Sequence, residues 1–367
     1  MSWKDCRLGD VLRLKRGHDL PNQARQPGEI PVVSSSGVTG FHSAAKAEPP
    51  GVITGRYGTL GEVFYLQEPY WPLNTALYVI DFKGTHPRFA AYVLKNALVG
   101  YQSDKAAVPG VDRNVLHELR VRVPDSPIQE RIATILSAYD ELIEKNRRRM
   151  ALLEESARLL YREWFVRLRF PGYEHTQIVD GAPQGWQRKS LNDLAFIVMG
   201  QSPESKYYND AGEGLPFHQG VTDFTDRFVK DRVFCTRPTR LAETGDILCS
   251  VRAPVGRVNI TLNKVAIGRG LTALRSKSGN QSFLFQQLRT HFFKEDLIGA
   301  GAIFASVTRR EFGSQELLTP DDALIHDFEE ISTDADGQLR VLSMQNEKLR
   351  AARDLLLPKL MSGELPV

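Results

Sequence analysis

The stretch that decides the fold is WKDCRLGDVLRLKRG at residues 3–17, because it returns later in the chain as WQRKSLNDLAFIVMG at residues 186–200. The two copies keep a tryptophan, a leucine, an aspartate and a glycine at identical spacing. Self-similarity of this kind indicates a repeated structural unit. The sequence therefore predicts two related bodies that open with the same short element.

The similarity continues downstream in the same order. Gly37-Val38 returns as Gly220-Val221, Gly61-x-Val63 as Gly256-x-Val258, Arg113 as Arg309, and Pro124-Asp125 as Pro320-Asp321. The separation between partners grows along the chain, as an insertion in the second copy would produce. Chance similarity between short apolar motifs would not keep this order, so we interpret the chain as a tandem duplication.

Each copy mixes short strands with helices. Apolar runs between glycine and proline turns predict strands at 30–33, 51–54, 62–66 and 77–80. Residues 87–98 predict a helix with Phe89, Val93 and Leu94 on one side, and residues 282–293 predict its counterpart. We expect mixed α/β domains whose turn-rich loops carry the binding residues.

A long heptad pattern follows the first copy. Apolar side chains recur in alternating steps of four and three over about five heptads, at Ile132, Leu136, Tyr139, Ile143, Met150, Leu153, Ala157, Leu160 and Trp164, with Asn146 in the remaining slot. Pro127 suits a first helical turn, and Asp125 or Ser126 can cap it. At about 1.5 Å per residue, residues 126–165 would span roughly 60 Å, more than one small domain can bury.

The second copy ends in a less regular helix. Leu324, Phe328 and Ile331 begin a pattern, and apolar positions resume at Leu339. We expect a break near Gly337, because Asp-Ala-Asp-Gly at residues 334–337 disfavours a helix interior. Because a domain lies between the two helices, we expect them to pair antiparallel, although each could instead serve another protein.

These helices supply the candidates for a helix-pair or partner interface. The candidates are Ile132, Leu136, Tyr139, Ile143, Asn146, Met150, Leu153, Leu160, Leu342, Asn346, Leu349, Leu356 and Leu360. Asn146 and Asn346 each lie close to a seam, where paired asparagines can fix the register at some cost in stability. The alternative is that both asparagines face solvent.

Length and composition indicate a multidomain protein. The chain has 367 residues, no apolar run near the roughly 20 needed to cross a bilayer, and a patterned start that leaves no room for a signal peptide. Cys6, Cys235 and Cys249 are odd in number and share no metal-ligand spacing, which predicts reduced thiols in the cytoplasm and no zinc.

Charge alternates along the chain. Residues 1–124 carry 15 Lys and Arg against 11 Asp and Glu, and residues 166–320 carry 20 against 15. The helical segments 125–165 and 321–367 carry 7 against 8 and 5 against 10. Basic bodies suit a phosphate backbone, but excesses this small also fit an ordinary surface.

Several motifs resemble the specificity subunit of type I restriction-modification systems. They are WKDCRLGDV at 3–11, LYREWFVRLRFPG at 160–172, DGAPQGW at 180–186 and LLLPKLMSGEL at 355–365. The resemblance covers the full chain. The segment after the first long helix and the closing motif are its specific parts, whereas the strand-rich halves agree in layout.

The resemblance implies a mixed α/β fold in which two similar globular target-recognition domains are separated by a pair of long helices that form an antiparallel coiled coil. The division is 1–124 and 186–320 for the domains, 125–165 and 321–361 for the helices, and 166–185 for a linker. Each domain would read half of a bipartite double-stranded DNA site. A rod of roughly 60 Å would hold the half-sites at most about 17 base pairs apart.

The same resemblance assigns catalysis to other subunits. Two modification (methyltransferase) subunits would dock on this chain, restriction/translocase subunits would join through the complex, and no membrane is involved. No cofactor is expected on this chain, whereas S-adenosylmethionine, ATP and magnesium are expected on the partner subunits. Base-contacting residues do not carry over by position, because the domains vary with the DNA sequence read.

Loop cations and aromatics near glycine are the candidate DNA contacts, since glycine permits close backbone approach and arginine pairs bidentately with guanine. In the first domain they are Lys15, Arg16, Arg56, Tyr57, Asn74 and Arg113. In the second they are Gln201, Lys206, Tyr207, Arg252, Arg257, Arg269, Arg309 and Arg310. For each one, the alternatives are a base contact, a phosphate contact and a solvent-exposed side chain.

Two other classes of protein compete with a non-catalytic DNA-binding subunit. A nuclease would need a carboxylate-x-Lys motif after Pro124-Asp125 or Pro320-Asp321, and the sequence has none there. A phosphate-binding loop would need Gly-Lys-Ser/Thr after Gly55-x2-Gly58-x2-Gly61, and this is also missing. The histidines lack ligand spacing, so we expect no metal. The Asn-Pro-Pro-aromatic or Asp-Pro-Pro-aromatic run that amino-methyltransferases use is also missing, so we expect no S-adenosylmethionine site. A plain coiled-coil scaffold would explain the helices but not the duplicated basic domains.

Overall fold

The computed structural model describes residues 3–57, 61–99, 110–292 and 306–367. By its internal contacts the chain divides into two compact units. Unit 1 is Met1–Asn146 with Met344–Val367, and unit 2 is Arg147–Ser343. Each unit therefore holds one globular α/β part together with a portion of both long helices.

Short strands build the globular part of unit 1. Its main sheet is antiparallel, with the order Arg13–Arg16, Ala76–Asp81, Gly51–Gly55, Val63–Leu66. Its second sheet has the order Gly37–His42, Ile30–Ser34, Trp71–Pro72, and Trp3–Arg7 pairs separately with Arg120–Pro124. The four strands predicted in this copy are confirmed to within one residue.

Three short α-helices accompany these strands in the described globular part of unit 1, at Leu8–Val11, Pro87–Ala97 and Arg113–Glu118, with one 3-10 turn at Asn22–Ala24. The predicted helix at Pro87–Ala97 is confirmed, with a proline in its first turn and Phe89, Val93 and Leu94 buried. These side chains share one apolar core with Ile132 and Leu360 of the long helices. The globular part and the helices of unit 1 therefore have a common core.

Unit 2 repeats this arrangement. Its main sheet has the order Ala195–Met199, Leu271–Ser276, Ile247–Ser250, Val258–Ile260. Its second sheet has the order Tyr208–Asn209, Phe234–Cys235, Leu215–His218, Val265–Ile267, Leu241–Ala242. Separate pairs join Gln187–Ser190 with Glu316–Thr319 and Ile178–Val179 with Ala182–Pro183. Helices lie at Leu191–Leu194, Gln281–Phe292 and Arg309–Gly313.

The tandem duplication is confirmed by this topology. In both main sheets the first strand pairs with the last, and the last strand pairs with a middle strand. That middle strand pairs in turn with the next strand along the chain, as a hairpin. Unit 2 adds Tyr208–Asn209 and Leu241–Ala242 at the edges of its second sheet. Leu241–Ala242 lies between Gly220 and Gly256, where the separation between repeat partners grows. The predicted helix at 282–293 is confirmed as far as Phe292, and residue 293 lies outside the described residues.

The first long helix runs from Ser126 to Tyr161 and continues as one π-helical turn at Arg162–Val166. The second long helix runs from Asp322 to Ser362. The Asp321 carboxylate caps the second helix by accepting a hydrogen bond from the Leu324 amide at 2.9 Å. Both helices are far longer than the globular average, as the sequence predicts.

The two long helices pair antiparallel, which confirms that prediction. In unit 1, Arg353 donates to Asp140 at 2.6 Å, and the Asn146 amide donates to Asn346 at 3.0 Å. In unit 2, the rings of Tyr161 and Phe328 lie 5.8 Å apart. Both asparagines are buried, so they bond to each other and do not face solvent.

The candidate helix-pair residues follow the seam. Those buried are Ile132, Leu136, Ile143, Asn146, Leu342, Asn346 and Leu360, and those half-buried are Tyr139, Met150, Leu153, Leu160, Leu349 and Leu356. Along each long helix these buried and half-buried residues are separated by exposed ones, as the apolar stripe of a coiled coil requires.

The expected break near Gly337 is wrong, because the second long helix is continuous through it. Gly337 is exposed and costs about 1 kcal/mol in a helix interior, which the burial of Leu339 and Leu342 on the following turns offsets. Ile331, which continues the predicted apolar pattern of Leu324 and Phe328, does not share their burial. Ile331 is 54% exposed, and its neighbour Ser332 occupies the buried position.

Candidate nucleic-acid interface

Several loops meet at one end of the main sheet in unit 1. The Arg56 amide donates to the Thr75 carbonyl at 2.8 Å, and the Arg56 carbonyl accepts from the Val111 amide at 2.8 Å. The Gly17 amide donates to the Ala76 carbonyl at 3.1 Å. We call this meeting point the loop junction of unit 1, formed by residues 17–18, 56–57, 72–76 and 110–113.

Unit 2 has the same arrangement of backbone hydrogen bonds. The Val251 amide donates to the Gly270 carbonyl, and its carbonyl accepts from the Val307 amide, both at 2.9 Å. The Gly200 amide donates to the Leu271 carbonyl at 3.0 Å. The loop junction of unit 2 is formed by residues 200–201, 250–252, 267–271 and 306–309.

The repeated glycine at the start of each junction has a steric cause. A Cβ on Gly17 would lie 2.1 Å from the Leu73 carbonyl oxygen, and a Cβ on Gly200 would lie 2.1 Å from the Gly268 carbonyl oxygen. Only glycine allows these chains to approach so closely. The glycines that mark the sequence repeat therefore hold the junction together.

The unit 1 junction brings most of the first-domain candidates together. The Arg56 guanidinium stacks 4.5 Å from the Tyr57 ring centre and donates to the Asn74 carbonyl at 3.4 Å. The Asn74 amide donates to Asp19, which also pairs with Arg16 at 3.9 Å. These contacts fix the orientation of the side chains before any ligand binds.

The same end of unit 1 carries positive charge. Burial, followed by the charges of Lys15 and Lys46, lowers the pKa of His18. His18 lies 3.2 Å from the Tyr78 hydroxyl, and Lys46 lies 5.2 Å from the Trp71 ring centre. Lys46 was not predicted from the sequence, because nothing in its local pattern indicates the packing against Trp71.

The unit 2 junction brings Arg252 and Arg269 to one cavity of about 130 Å³. The cavity is lined by Gln219, Gly220, Val221, Ser250, Arg252, Ala253, Arg269 and Gly270. The repeated pair Gly220-Val221 thus forms part of its wall. At Gln201, another candidate, the backbone amide donates to the Ile267 carbonyl at 3.0 Å, and the backbone carbonyl accepts from the Thr239 hydroxyl at 2.6 Å.

Arg113 and Arg309 take matching places at the two junctions. Each is the first residue of a short helix, after the capping residues Asp112 and Thr308. Both arginines are exposed. Arg310 follows Arg309 on the same helix and is exposed as well.

The remaining second-domain candidates lie in other loops. The Tyr207 ring has Lys206 at 5.0 Å and Arg237 at 5.1 Å from its centre, and Arg237 donates to its hydroxyl at 3.2 Å. Lys206 also pairs with Glu204 at 2.6 Å. The Arg257 amide donates to the Ser250 hydroxyl at 2.9 Å. Arg237 was missed because only the fold brings it to Tyr207.

A buried histidine between two carboxylates supports the loop beside the unit 2 cavity. His218 is fully buried, and its ring nitrogens lie 3.1 Å from Asp223 and 3.0 Å from Asp231. Burial opposes the charged imidazolium, but the hydrogen bonds and charges of these two aspartates outweigh it and raise the pKa of His218. Arg232 pairs with Asp223 from the other side. Nothing in the local sequence indicates this group.

Two searches of the described residues bear on other kinds of site. Over residues 3–57, 61–99, 110–292 and 306–367, no three His, Cys, Asp or Glu side chains come close enough together to hold a metal ion. Within the same ranges, no helix combines the length and the apolar character needed to cross a bilayer.

Comparison with known proteins gives a family match. Residues 1–155 and 183–321 match the family model described as type I restriction modification DNA specificity domain. The two matched ranges correspond to the two copies of the repeat. Together they cover most of the chain.

Named relatives agree with this match. A putative type I restriction enzyme MjaX specificity subunit of Methanocaldococcus jannaschii is 28% identical over 70% of this chain and 62% of that relative. The type I restriction enzyme HindI specificity subunit of Haemophilus influenzae is 23% identical over 72% of this chain and 73% of that relative. The match to the first of these spans less than two thirds of its length.

A solved structure agrees in fold. The crystal structure of the S subunit of a type I restriction-modification system from M. genitalium has a TM-score of 0.63 to this chain and is 16% identical to it. The match covers 98% of this chain and 96% of that one. This likeness shows a shared fold.

Proposed function

The chain belongs to the type I restriction modification DNA specificity domain family, and we propose on this basis that it is a sequence-specific DNA-binding subunit of a type I restriction-modification complex. In this proposal each globular domain reads one half of a bipartite double-stranded DNA site. The chain docks two modification (methyltransferase) subunits and, through the complex, restriction/translocase subunits. It has no catalytic activity of its own.

The observation that carries the proposal is the duplicated loop junction. Both units use the same backbone hydrogen bonds to hold exposed or half-buried cations at the end of a sheet. Arginines at such a point can contact phosphates and base edges. Two similar DNA-binding domains favour a DNA site with two halves, and the antiparallel helix pair favours a fixed spacing between the halves.

The finer assignments belong to this proposal. We keep residues 1–124 and 186–320 as the target-recognition domains, 125–165 and 321–361 as the helices and 166–185 as the linker. S-adenosylmethionine, ATP and magnesium are assigned to the partner subunits. The three cysteines, which are free and buried, suit the cytoplasm as the working compartment.

Exposed leucines on the long helices support partner docking. In unit 1, Leu142 is 45% exposed and Leu355 is 68% exposed; in unit 2, Leu152 is 68% exposed. Burial of these side chains against another protein would remove apolar surface from water, which is favourable. We therefore assign the outward helix faces, rather than the packed seam, to the modification subunits.

The test of DNA recognition is methylation mapping. The chain is co-expressed with its modification subunits, and methylated positions in genomic DNA are sequenced. A bipartite motif with a fixed gap is expected. Methylation or cleavage of DNA by the purified chain alone would contradict the proposal, as would a continuous motif without a gap.

The test of docking uses a matched pair of leucines. Leu152→Asp is expected to abolish co-purification with the modification subunits while the chain stays folded, because the side chain is exposed. Leu136→Asp, at a buried seam position, is expected to disrupt the chain itself. Undiminished co-purification of Leu152→Asp would contradict the assignment of the outward face.

A further inference from the structure

The shared backbone of the two loop junctions lets their side chains be compared position by position. Tyr57 forms a β-bridge with Gly110, and Arg252 forms the matching bridge with Ser306. Tyr57 and Arg252 therefore occupy the same place. This correspondence could not be found by matching residue types, because the two side chains differ.

The other positions follow from the same hydrogen bonds. The Thr75 and Gly270 carbonyls accept the matching bonds from the Arg56 and Val251 amides. Asn74 and Arg269, which immediately precede these carbonyls in the chain, are therefore equivalent. Arg113 and Arg309 are equivalent as the first residues of matching helices.

Equivalent positions divide into two kinds. Arg113 and Arg309 are identical, whereas Tyr57 differs from Arg252 and Asn74 differs from Arg269. The phosphate backbone is the same at every DNA sequence, so a phosphate contact can be the same cation in both units. A base contact has to differ wherever the two half-sites differ.

We propose that this division separates two kinds of DNA contact, and that Arg252 and Arg269 read guanine in the half-site of unit 2. Arg113 and Arg309 contact phosphates and carry no sequence information. The inference rests on the proposed function. It adds the residues that determine specificity and the base that they select.

The state of the arginine side chains supports guanine. Neither Arg252 nor Arg269 has a side-chain hydrogen bond or ion pair with any residue that the structure describes. By contrast, the Arg275 guanidinium of unit 2 is held by Asp246 at 2.7 Å. Unbonded guanidinium groups at a cavity keep their donors available for the O6 and N7 acceptors of guanine.

The unit 1 junction offers different chemistry at the same places. The Tyr57 ring is covered by Arg56, and the Asn74 amide is already bonded to Asp19. Neither residue presents a free cation at the equivalent positions. Unit 1 therefore does not select guanine through these two residues.

Arginine-to-lysine variants test the proposal, because lysine keeps the charge but loses the bidentate geometry. Arg252→Lys and Arg269→Lys are compared with Arg113→Lys and Arg309→Lys, each in the full complex with modification subunits. The readouts are the methylated motif, the affinity for DNA carrying the wild-type motif and the salt dependence of that affinity.

Arg252→Lys or Arg269→Lys is expected to relax one guanine position in one half-site and to weaken cognate binding roughly 10- to 100-fold. The other half-site should be unchanged. Arg309→Lys and Arg113→Lys should leave the motif intact, whereas Arg309→Gln should weaken all DNA sequences alike and lower the salt slope by about 1.

Two results would overturn the inference. One is a motif without guanine in either half-site, and the other is a change of motif in Arg309→Lys but not in Arg269→Lys. If the wild-type complex methylates no bipartite motif at all, the proposed function fails instead, before any variant is compared. Amide exchange in the unit that carries the substitution identifies a variant that has lost its fold, and the remaining variants still decide the inference.

Discussion

Units 1 and 2 share a topology but stabilise it with different chemistry. In unit 1, Val33 is buried at the point where the second sheet meets the junction, and its carbonyl accepts from the Leu73 amide at 2.8 Å. In unit 2 the equivalent carbonyl, which accepts from the Gly268 amide at 2.8 Å, belongs to the buried His218. An apolar side chain in one copy is thus replaced in the other by a histidine that is hydrogen-bonded to two carboxylates.

The same contrast appears where the globular part meets the helices. Asp140 lies on the first long helix as far beyond Asp125 as Asp336 lies beyond Asp321 on the second. Asp140 accepts from the neutral Tyr92 hydroxyl at 2.5 Å, and from Arg353 of the other long helix. Burial, followed by the charge of Asp140, raises the pKa of Tyr92, so this donor keeps its proton.

In unit 2 the globular part contributes a cation instead. The Arg227 guanidinium is 2% exposed, donates to Glu154 at 2.6 Å and also binds Asp336. It stacks 4.5 Å from the Phe285 ring centre. Buried charges are costly unless they are fully paired, so unit 2 should respond more strongly than unit 1 to the loss of a partner and to pH.

Arg227→Met is the change with the largest expected effect. It leaves the half-buried carboxylates of Asp336 and Glu154 without this cation, and removal of one partner from a buried ion pair costs about 3–5 kcal/mol. Amide hydrogen exchange in unit 2 measures this loss as a lower free energy of opening. The matched change in unit 1 is Tyr92→Phe, which should cost only about 1 kcal/mol because Asp140 keeps Arg353. Equal losses in the two units would contradict the contrast.

His218→Val makes unit 2 resemble unit 1 and should cost about 2 kcal/mol at pH 6, because two charge-assisted hydrogen bonds are lost. The raised pKa of His218 gives the sign of the pH effect. The stabilisation is fully present below about pH 6.5, the usual histidine value, and is lost as pH rises through the raised pKa.

Amide exchange of residues 219–231 across pH 5.5–9, roughly the window in which histidine titrates, tests this prediction. The charged groups that contact His218 directly or through its partners are Asp223, Asp231 and Arg232. His175, which is exposed, provides the control variant His175→Val. A wild-type loop whose protection does not fall with rising pH would be evidence against a charged His218.

Unit 1 also has a buried polar contact, the Asn146–Asn346 pair. Its substitution shows how much stability unit 1 gains from such a contact. Asn346→Leu leaves the Asn146 amide buried without a partner and should cost about 1–3 kcal/mol. The double change Asn146→Leu with Asn346→Leu should recover most of this loss, because an apolar pair fits a coiled-coil seam. Urea unfolding of the three variants measures the coupling. Additive losses would show that the two amides act independently.

The sequence was sufficient for the features that repeat or recur at a fixed period. The matching tryptophans and glycines at residues 3–17 and 186–200 predicted the duplication, and the heptads around Asn146 predicted the helix pair. These signals survive in a single sequence because each arises from local spacing. The loop candidates Arg56, Tyr57 and Asn74 were predicted by residue type, and the fold brings them together.

The features that escaped prediction depend on contacts between distant residues. Arg227 meets Glu154 and Asp336 only after the chain has folded, and no local pattern separates it from exposed arginines. The equivalence of Tyr57 and Arg252 was hidden because the residue types differ and an insertion shifts the spacing. The assignment of any of these residues to DNA remains a prediction.

Substitution of Gly337 should have the smallest effect on stability, and a matched substitution in the first long helix allows the two helices to be compared. The expected break failed because helix propensity, worth about 1 kcal/mol, is a weak term beside the packing of a long apolar stripe. Gly337→Ala should therefore stabilise unit 2 by about 0.5–1 kcal/mol, since the added Cβ would meet no atom within 4 Å apart from its chain neighbours and the adjacent backbone of its own helix. Ala138→Gly, at an exposed position of the first long helix, should destabilise unit 1 by the same amount. Loss of stability in Gly337→Ala would contradict this prediction. It would mean that the second long helix, unlike the first, requires the backbone freedom of a glycine in its interior.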